Sequence, residues 1–511
     1  MKVLSSEDAR LIDRHTMTKM GVSGETLMGQ AGEALAKRIE QMASTAGGKQ
    51  VAIICGKGNN GGDGYAAAFH LSGADVEITL FSSVPEEKID GDAKVFYDKC
   101  IADGMEVTFP GNMRDVDLSN FDLIVDGLLG TGIEGKVREE AVEWINHINA
   151  SGLPVLSIDI PSGVSSDSGQ VLGVSVEAGA TVTMGFLKQG LVVEPGASLS
   201  GDLEIAELAY PEEAFQMLKI DKRIVEDSFA QQFLSKPAAD TYKHRQGKVL
   251  VVGGCKGYTG AVCMASEAAL RSGAGLVIAG IPESLNIIYE SKLTEVITAP
   301  VIDDGKGYFT EKSVDHLKDQ IEWCDVSAVG PGLGTSGESV EFAKRLLSAI
   351  DKPVVIDADG LRVLHGNPGF VKSMSNEFIL TPHAGEAAAI FGIEKQTIID
   401  DPFQFTLESA REVGGVFVLK GAPTLISDGA SVVANTSGHQ GLATGGTGDV
   451  LTGLIAGFLA QGVPLFDAAQ LGVYIHGKAA DALLASHGYR GLIAGDLLKS
   501  VPSVIAGYEC D

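Results

Sequence analysis

The chain is short of positive charge. Lysine and arginine number 39 against 67 aspartates and glutamates, a formal net charge of −28 over 511 residues. That balance excludes nonspecific binding to nucleic acid or to an anionic membrane. An anionic ligand would have to be held by local backbone amides and a few cations, against the net field. Cysteines are few and scattered (Cys55, Cys100, Cys255, Cys263, Cys324, Cys510), and none forms a CxxC pair. Free buried thiols in a reducing cytosol are expected. The opening MKVLSSEDAR lacks an apolar signal core, so a cytoplasmic location is expected. The longest apolar run, Val450 to Ala460, is too short to span a bilayer. No GxxxxGK[ST] occurs, which removes the P-loop as a phosphate cradle.

Glycine is abundant, with 65 residues. Its share is about twice the usual ~7%. The glycines follow no collagen period and cluster after apolar segments, which points to loops that approach ligands closely. A 45% hydrophobic content supplies packed cores. The length suggests roughly two to four domains.

The chain divides into two halves. The first opens with SSEDARLIDRHTMTKMG, a helix that Ser6 could cap, and a second helix follows in ETLMGQAGEALAKRIEQMA. Short apolar runs then alternate with helical patterns: VAIIC (51–55), VEITLF (76–81), DLIVD (122–126), PVLSID (154–159) and ATVTMGF (180–186). Continuous apolar strands alternating with helices imply a parallel sheet covered on both faces. The pattern weakens over 211–245, and the boundary is placed at 225, giving domains 1–225 and 226–511. A second alternation follows: KVLVVGG (248–254), GLVIAGIP (275–282), DVSAVGPG (325–332), PVVIDADG (353–360), FILTPH (378–383) and VFVLKG (416–421). Both halves are expected to be doubly wound α/β domains.

Ligands of open parallel sheets bind beyond the carboxyl ends of the strands. In the first half those ends carry GKGNNGGDGY (56–65), Asp126 before GLLGTG, and Asp159 before IPSG. Gly56, Gly58 and Gly61 satisfy GxGxxG, but the second strand ends in Leu80-Phe81-Ser82 without the acid a ribose would need. Asn59, Asn60 and Asp63 instead offer oxygen to a hard cation or a polar ligand; a purely structural turn is the alternative. A half-shielded Asp159 suits general acid–base work, or it simply caps a turn.

In the second half the strand and helix ends carry GPGLG (330–334), DADGL (357–361), TPHAGE (381–386), KGAPT (420–424) and GGTGD (445–449). Lys420 can reach a phosphate. His383 is equally a substrate contact or a satisfied polar histidine. Gly445, Gly446 and Gly448 bare amides at a helix start, where charge on a transferring phosphoryl group is stabilised. Asp449 beside them can accept the proton of an attacking hydroxyl.

GKGNNGGDG with LLGTG and DIPSG resembles the NAD(P)H-hydrate epimerase domain. GPGLG, DADGL, LTPHAGE, KGAPT and LATGGTGDVLTGLIAGFLAQG resemble the ADP/ATP-dependent NAD(P)H-hydrate dehydratase domain. Their order on one chain resembles the bifunctional NAD(P)H-hydrate repair enzymes of prokaryotes, over nearly the whole length. The resemblance implies an N-terminal Rossmann-like three-layer sandwich and a C-terminal ribokinase-like domain. It implies epimerisation of NADH or NADPH hydrated at carbon 6 of the nicotinamide ring, with Asp159 near that ring. Hydrate contacts would come from Asn59, Asn60, Gly61, Gly62 and Asp63, and from Gly130, Thr131, Gly132, Ile133, Glu134, Gly135 and Lys136. Asn60, Asp126 and Ser162 would hold potassium. In the second domain Ala261, Gly332 or Gly334, His383 and Asp449 would contact the S hydrate, with Asp449 catalytic. Lys420, Gly421, Ala422, Pro423 and Thr424, with Thr444, Gly445, Gly446, Thr447 and Gly448, would bind ADP or ATP with magnesium, the tandem arrangement favouring ADP. A homo-oligomer is also implied. Ala384 stands where the family usually has a proline. A ribokinase-type small-molecule kinase with an accessory first half is the rival; the intact set Asn60, Asp126, Asp159 and Ser162 argues against it.

Overall fold

The structure is a computed structural model that describes residues 1–110, 116–133 and 135–509; Glu134 and Cys510 lie outside the described residues. The chain falls into two compact units, Met1–Asp221 and Lys222–Asp511.

The first unit is built on seven parallel strands: β1 (Gln50–Cys55), β2 (Glu77–Ser82), β3 (Val107–Thr108), β4 (Leu123–Gly127), β5 (Val155–Ile158), β6 (Ala180–Met184) and β7 (Asp202–Ala206). Their spatial order is β3-β2-β1-β4-β5-β6-β7. The period of two assigns the faces. Val51, Ile53 and Cys55 pack with Leu35 and Ile39 of the helix Gly24–Ala46. Ala52 and Ile54 pack instead with Trp144 and Ile145 of the helix Glu139–Ser151. Both faces are dry, which is why β1 and β4 read as continuous apolar runs. The chain leaves β1 for one face, through the helix Asn59–His70, and leaves β4 for the other. A crevice therefore opens between their carboxyl ends. Register sets Ile54, Asp126 and Ser157 abreast on β1, β4 and β5.

Ser5, not Ser6, caps the first helix, Ser6–Lys19: its side chain accepts from Asp8 N and Asp8 returns the bond in a capping box. Ser6 is engaged elsewhere, donating to Asp167 through both N and Oγ at 2.6 Å.

The second unit carries a ten-stranded sheet: β8 (Asp221–Ile224), β9 (Lys248–Val252), β10 (Leu276–Pro282), β11 (Ile297–Val301), β12 (Val326–Val329), β13 (Val354–Ile356), β14 (Phe378–Leu380), β15 (Val416–Leu419), β16 (Thr424–Ser427) and β17 (Ser431–Asn435). The order is β8-β17-β16-β15-β14-β13-β12-β9-β10-β11. The run β15-β14-β13-β12-β9-β10-β11 is parallel; β16 and β17 pair antiparallel. The chain order reverses between β9 and β12, so the loops after these strands flank a second crevice. The helix Thr447–Ala460 is apolar on nearly every side and buried. It lies against the helix Thr259–Arg271 through glycines: a Cβ on Gly453 would stand 2.0 Å from the Ala265 carbonyl oxygen, and one on Gly457 1.9 Å from Ser272 Oγ. This contact sets where the helix start, with Asp449, arrives at the sheet edge.

On an exposed helix Gly→Ala gains about 1 kcal/mol of propensity. At Gly453 overpacking against backbone outweighs that gain. Gly453→Ala is expected to destabilise the second unit by about 1–3 kcal/mol, read as a lower denaturation midpoint of its transition. A neutral or stabilising effect would contradict the close helix contact.

Candidate active sites

The crevice of the first unit encloses a cavity of about 860 Å³. The end of β5 turns sharply, with Asp159 at a φ of 65°, a left-handed backbone that is costly for a residue with a Cβ. Its Oδ1 accepts from Met184 N at 3.0 Å, from Thr183 Oγ1 at 3.2 Å and from Lys188 Nζ in a short contact. Lys188 is 3% exposed and also donates to Thr183 Oγ1 and to the Met184 carbonyl. Nearby, Tyr210 donates to Asp13 at 2.6 Å. Burial pushes the Asp63 carboxyl well above the usual range, with the Asp159 charge adding to the shift. Asp13 is likewise raised, chiefly by burial.

Beneath the cavity floor, Asp126 is fully buried. It accepts from Ser162 Oγ (2.6 Å), Ser162 N (2.9 Å), Ser157 Oγ (2.9 Å) and Leu128 N (3.3 Å). Burial pushes its carboxyl above the usual range, and these bonds pull it only part of the way back. Asn60 Nδ2 donates to the Leu129 carbonyl at 2.9 Å, and Ser162 Oγ reaches the same carbonyl at 3.2 Å. Asn60, Asp126 and Ser162 thus meet around Leu129. The donor set is all oxygen, with one formal charge, and fits a hard monovalent cation.

Of the hydrate contacts expected here, Asn59, Asn60, Asp63, Gly130, Thr131, Gly132, Ile133, Lys136 and Asp159 line the cavity. Gly61 and Gly62 lie beneath it: a Cβ on Gly61 would stand 2.0 Å from the Gly56 carbonyl oxygen. Gly135 is an exposed turn residue away from the lining. The sequence reading overlooked Lys188, Asp13 and Tyr210. A lysine four residues past the apolar strand β6, behind Gly185-Phe186-Leu187, was the available signal.

In the second unit the strand-end loops converge on Lys420. Its Nζ donates to Asp357 Oδ1 at 2.7 Å and stands 3.9 Å from Glu386. Asp357 is 1% exposed and also accepts from Thr452 Oγ1 at 2.7 Å. Burial pushes Asp357 up, but Lys420 and the hydrogen bonds more than offset it, holding the carboxyl low. Asp449 enjoys no such pairing. Burial, then the charge of Asp357, raise it to about 7, with Lys420 only partly compensating. Gly446, at a φ of 94°, caps the helix. The first intrahelical bond runs from Val450 N to the Gly446 carbonyl. The amides of Thr447, Gly448 and Asp449 are thus left to an incoming group. Buried His476 donates through Nε2 to the Thr447 carbonyl at 2.9 Å, and burial lowers it to about 4, so it is a neutral support.

His383 caps the helix Ala384–Phe391, accepting from Gly385 N (2.9 Å) and Glu386 N (3.2 Å) on Nδ1. Its ring is exposed, and its Nε2 stands 3.7 Å from Glu386 Oε2. His383 bridges to Lys420, and Lys420 N bonds the Pro382 carbonyl. Gly332 lies against Ala261, and Gly334 N bonds Asp359 Oδ2 at 2.9 Å. Gly421 and Ala422 are exposed in the turn between β15 and β16, Pro423 and Thr424 half-buried. Thr447 Oγ1 fixes the glycine loop by bonding the Leu442 and Thr444 carbonyls, while Gly445 is exposed. Asp357 and Glu386 stood in quoted motifs without an assigned part.

A family profile described as NAD(P)H-hydrate dehydratase matches residues 249–503. Another, described as YjeF-related protein N-terminus, matches residues 24–190. A ribokinase-like superfamily protein from Enterococcus faecalis V583 superposes with a TM-score of 0.50 at 24% identity, covering 56% of this chain and 96% of its own. The chain is therefore two α/β units, the second sharing the fold of that ribokinase-like protein. The bifunctional NAD(P)H-hydrate repair enzyme of Moorella thermoacetica is 35% identical over 100% of this chain and 97% of its own length. That of Escherichia coli K12 is 33% identical over 98% and 93%. The chain belongs to the bifunctional NAD(P)H-hydrate repair enzyme family.

A carboxyl held near 7 when folded, against 3.8 ordinarily, binds protons more tightly in the folded state. Its charge therefore costs stability as pH rises from about 4 through about 7. Asp449→Asn is expected to raise the thermal midpoint of the second unit at pH well above 7, by roughly 2–4 °C for each kcal/mol regained. The advantage should vanish near pH 4. Equal midpoints across that range would show that Asp449 is not strained.

Proposed function

We propose that this protein repairs hydrated NADH and NADPH. The first unit interconverts the R and S hydrates. The second dehydrates the S form to NAD(P)H at the expense of ADP, releasing AMP and phosphate. The observation that carries the reading is Asp449, an unpaired carboxylate near neutrality beside three helix-start amides.

Asp449 takes the proton of the hydrate's carbon-6 hydroxyl as that oxygen attacks the terminal phosphoryl group. The amides of Thr447 and Gly448 and the ammonium of Lys420 hold the charge that develops there. Lys420 is kept in place by Asp357, which its own charge keeps ionised. Loss of phosphate from carbon 6, with loss of a proton from carbon 5, then restores the dihydropyridine ring. Magnesium entering with the nucleotide would supply counter-charge in a cleft that holds the acids Asp357, Asp359, Glu386 and Asp449. Ala261, Gly332, Gly334 and His383 would border the hydrate, and residues 420–424 with 444–448 the nucleotide.

In the first unit Asp159 would face the reacting ring, with the residues 59–63 and 130–136 around it. Asn60, Asp126 and Ser162 would hold potassium. Such an ion would supply positive charge beneath a cavity lined by carboxyls. A cytoplasmic homo-oligomer accords with the same reading; among the described residues no helix is long and apolar enough to cross a membrane.

Given mixed R and S NADHX, ADP and magnesium, the wild type should restore dihydronicotinamide absorbance from the whole mixture. Asp159→Asn should stall once the S form is spent, apart from slow spontaneous epimerisation. Asp449→Asn should lose recovery by at least about 10²-fold while still epimerising. The wild-type dehydration rate should climb with pH through about 7. Phosphorylation of a small alcohol such as hydroxymethylpyrimidine, with no turnover of the hydrate, would favour a kinase instead.

A further inference from the structure

Asp63 differs from the other acids deep in the first cavity. It is 8% exposed, lines the cavity from the helix Asn59–His70, and has no hydrogen-bond partner among the described residues. Its acidic neighbours are both served: Asp13 by Tyr210, and Asp159 by Lys188, Thr183 and Met184. Lys188 has nothing left for Asp63, because its three protons go to Asp159, Thr183 Oγ1 and the Met184 carbonyl. Arg10, Lys57, Lys88, Asp92, Lys136, Arg138 and Glu140 line the same cavity, and none is hydrogen-bonded to Asp63 among the described residues. A carboxyl so buried and so unserved keeps its proton. The direction of its shift agrees: burial comes first, the charge of Asp159 adds to it, and that of Lys188 only partly opposes it. One carboxyl is thus anchored as an anion and another is left neutral, facing one space. Pairs of acids whose surroundings differ in this way take opposite parts in proton transfer.

We propose that Asp63 and Asp159 are the acid and the base of epimerisation, with Lys188 as the positioning residue that holds and aims Asp159. The proposal rests on the epimerase reading of the first unit. The hydrated carbon 6 bears a hydroxyl and is bonded to ring nitrogen 1. Asp159 removes the hydroxyl proton, and the O–H electron pair becomes the second bond of a carbon–oxygen double bond. The bond from carbon 6 to nitrogen 1 breaks, its pair passes to nitrogen, and nitrogen takes the Asp63 proton. The open aldehyde turns about the bond between carbons 5 and 6. Nitrogen then adds to the opposite face, returning its proton to Asp63, while the oxygen recovers the proton from Asp159. No oxidant, reductant or water is consumed.

The test follows R-to-S interconversion directly, by separating the epimers, in the full chain without ADP. Wild-type rate against pH should fall on the alkaline side, as Asp63 ionises. A rate that stays level into alkaline pH overturns the proposal without any variant being needed. Asp63→Asn should lose about 10²-fold or more in kcat with little change in KM, and its residual rate should lack the alkaline fall. Lys188→Met should lower kcat with little change in KM, and Lys188→Arg should recover part of the loss; an unchanged kcat overturns the positioning role. Labelled oxygen from solvent water should not enter the hydroxyl at each turnover; its entry would overturn ring opening. If the wild type interconverts no epimers, the epimerase reading itself fails. If it does so and Asp63→Asn matches it with the alkaline limb intact, the acid–base pair fails and the reading stands.

Discussion

Each site of this protein sets a single buried ammonium among more carboxyls than it can serve. In the first unit Lys188 is committed to Asp159, and Asp63 and Asp13 are left to burial. In the second, Lys420 is committed to Asp357, and Asp449 and Glu386 are left raised. A carboxylate out of water is costly unless paired, so the shortage of cations decides which acid is charged and which holds a proton. The paired acid is fixed and oriented. The unpaired one remains free to exchange its proton with a ligand.

The fold makes this crowding possible. Parallel strands bring their carboxyl ends to one edge, and register places residues of separate strands abreast, as with Asp126 and Ser157. Loops then leave toward opposite faces and open a crevice at that edge. Backbone amides do for anions what the acidic chain has few side chains to do. The start of the helix Thr447–Ala460 delivers three of them next to Asp449, and the glycine contact with the helix Thr259–Arg271 holds that start in place.

Much of this was legible in the sequence, for a physical reason. Strands such as Gln50–Cys55 and Lys248–Val252 are buried on both faces, so they stand out as unbroken apolar runs. Edge strands gave no such signal. Asp202–Ala206 alternates exposed and buried residues, Ile297–Val301 carries Pro300, and Val107–Thr108 is two residues long. The hairpin Thr424–Ser427 with Ser431–Asn435 was hidden behind KGAPT, whose turn residues read as loop. Asp159 and Asp449 showed themselves by position, each an acid at a strand or helix terminus among glycines or prolines. Lys188 did not, because its importance lies in contacts with Asp159, 29 positions away. The helix-capping use of His383 was equally invisible, since it depends on the angle at which the helix leaves β14.

The central claim, that scarcity of cations leaves one protonated acid in each unit, has a direct spectroscopic signature. Infrared titration of the full chain distinguishes a protonated carboxyl from a carboxylate by its carbonyl stretch. About one pH unit below the value of about 7 held by Asp449, the wild type should retain buried protonated-carboxyl absorption. One component should disappear in Asp63→Asn and another in Asp449→Asn. A wild-type spectrum with no protonated carboxyl at that pH, or one unchanged by both substitutions, would contradict the account.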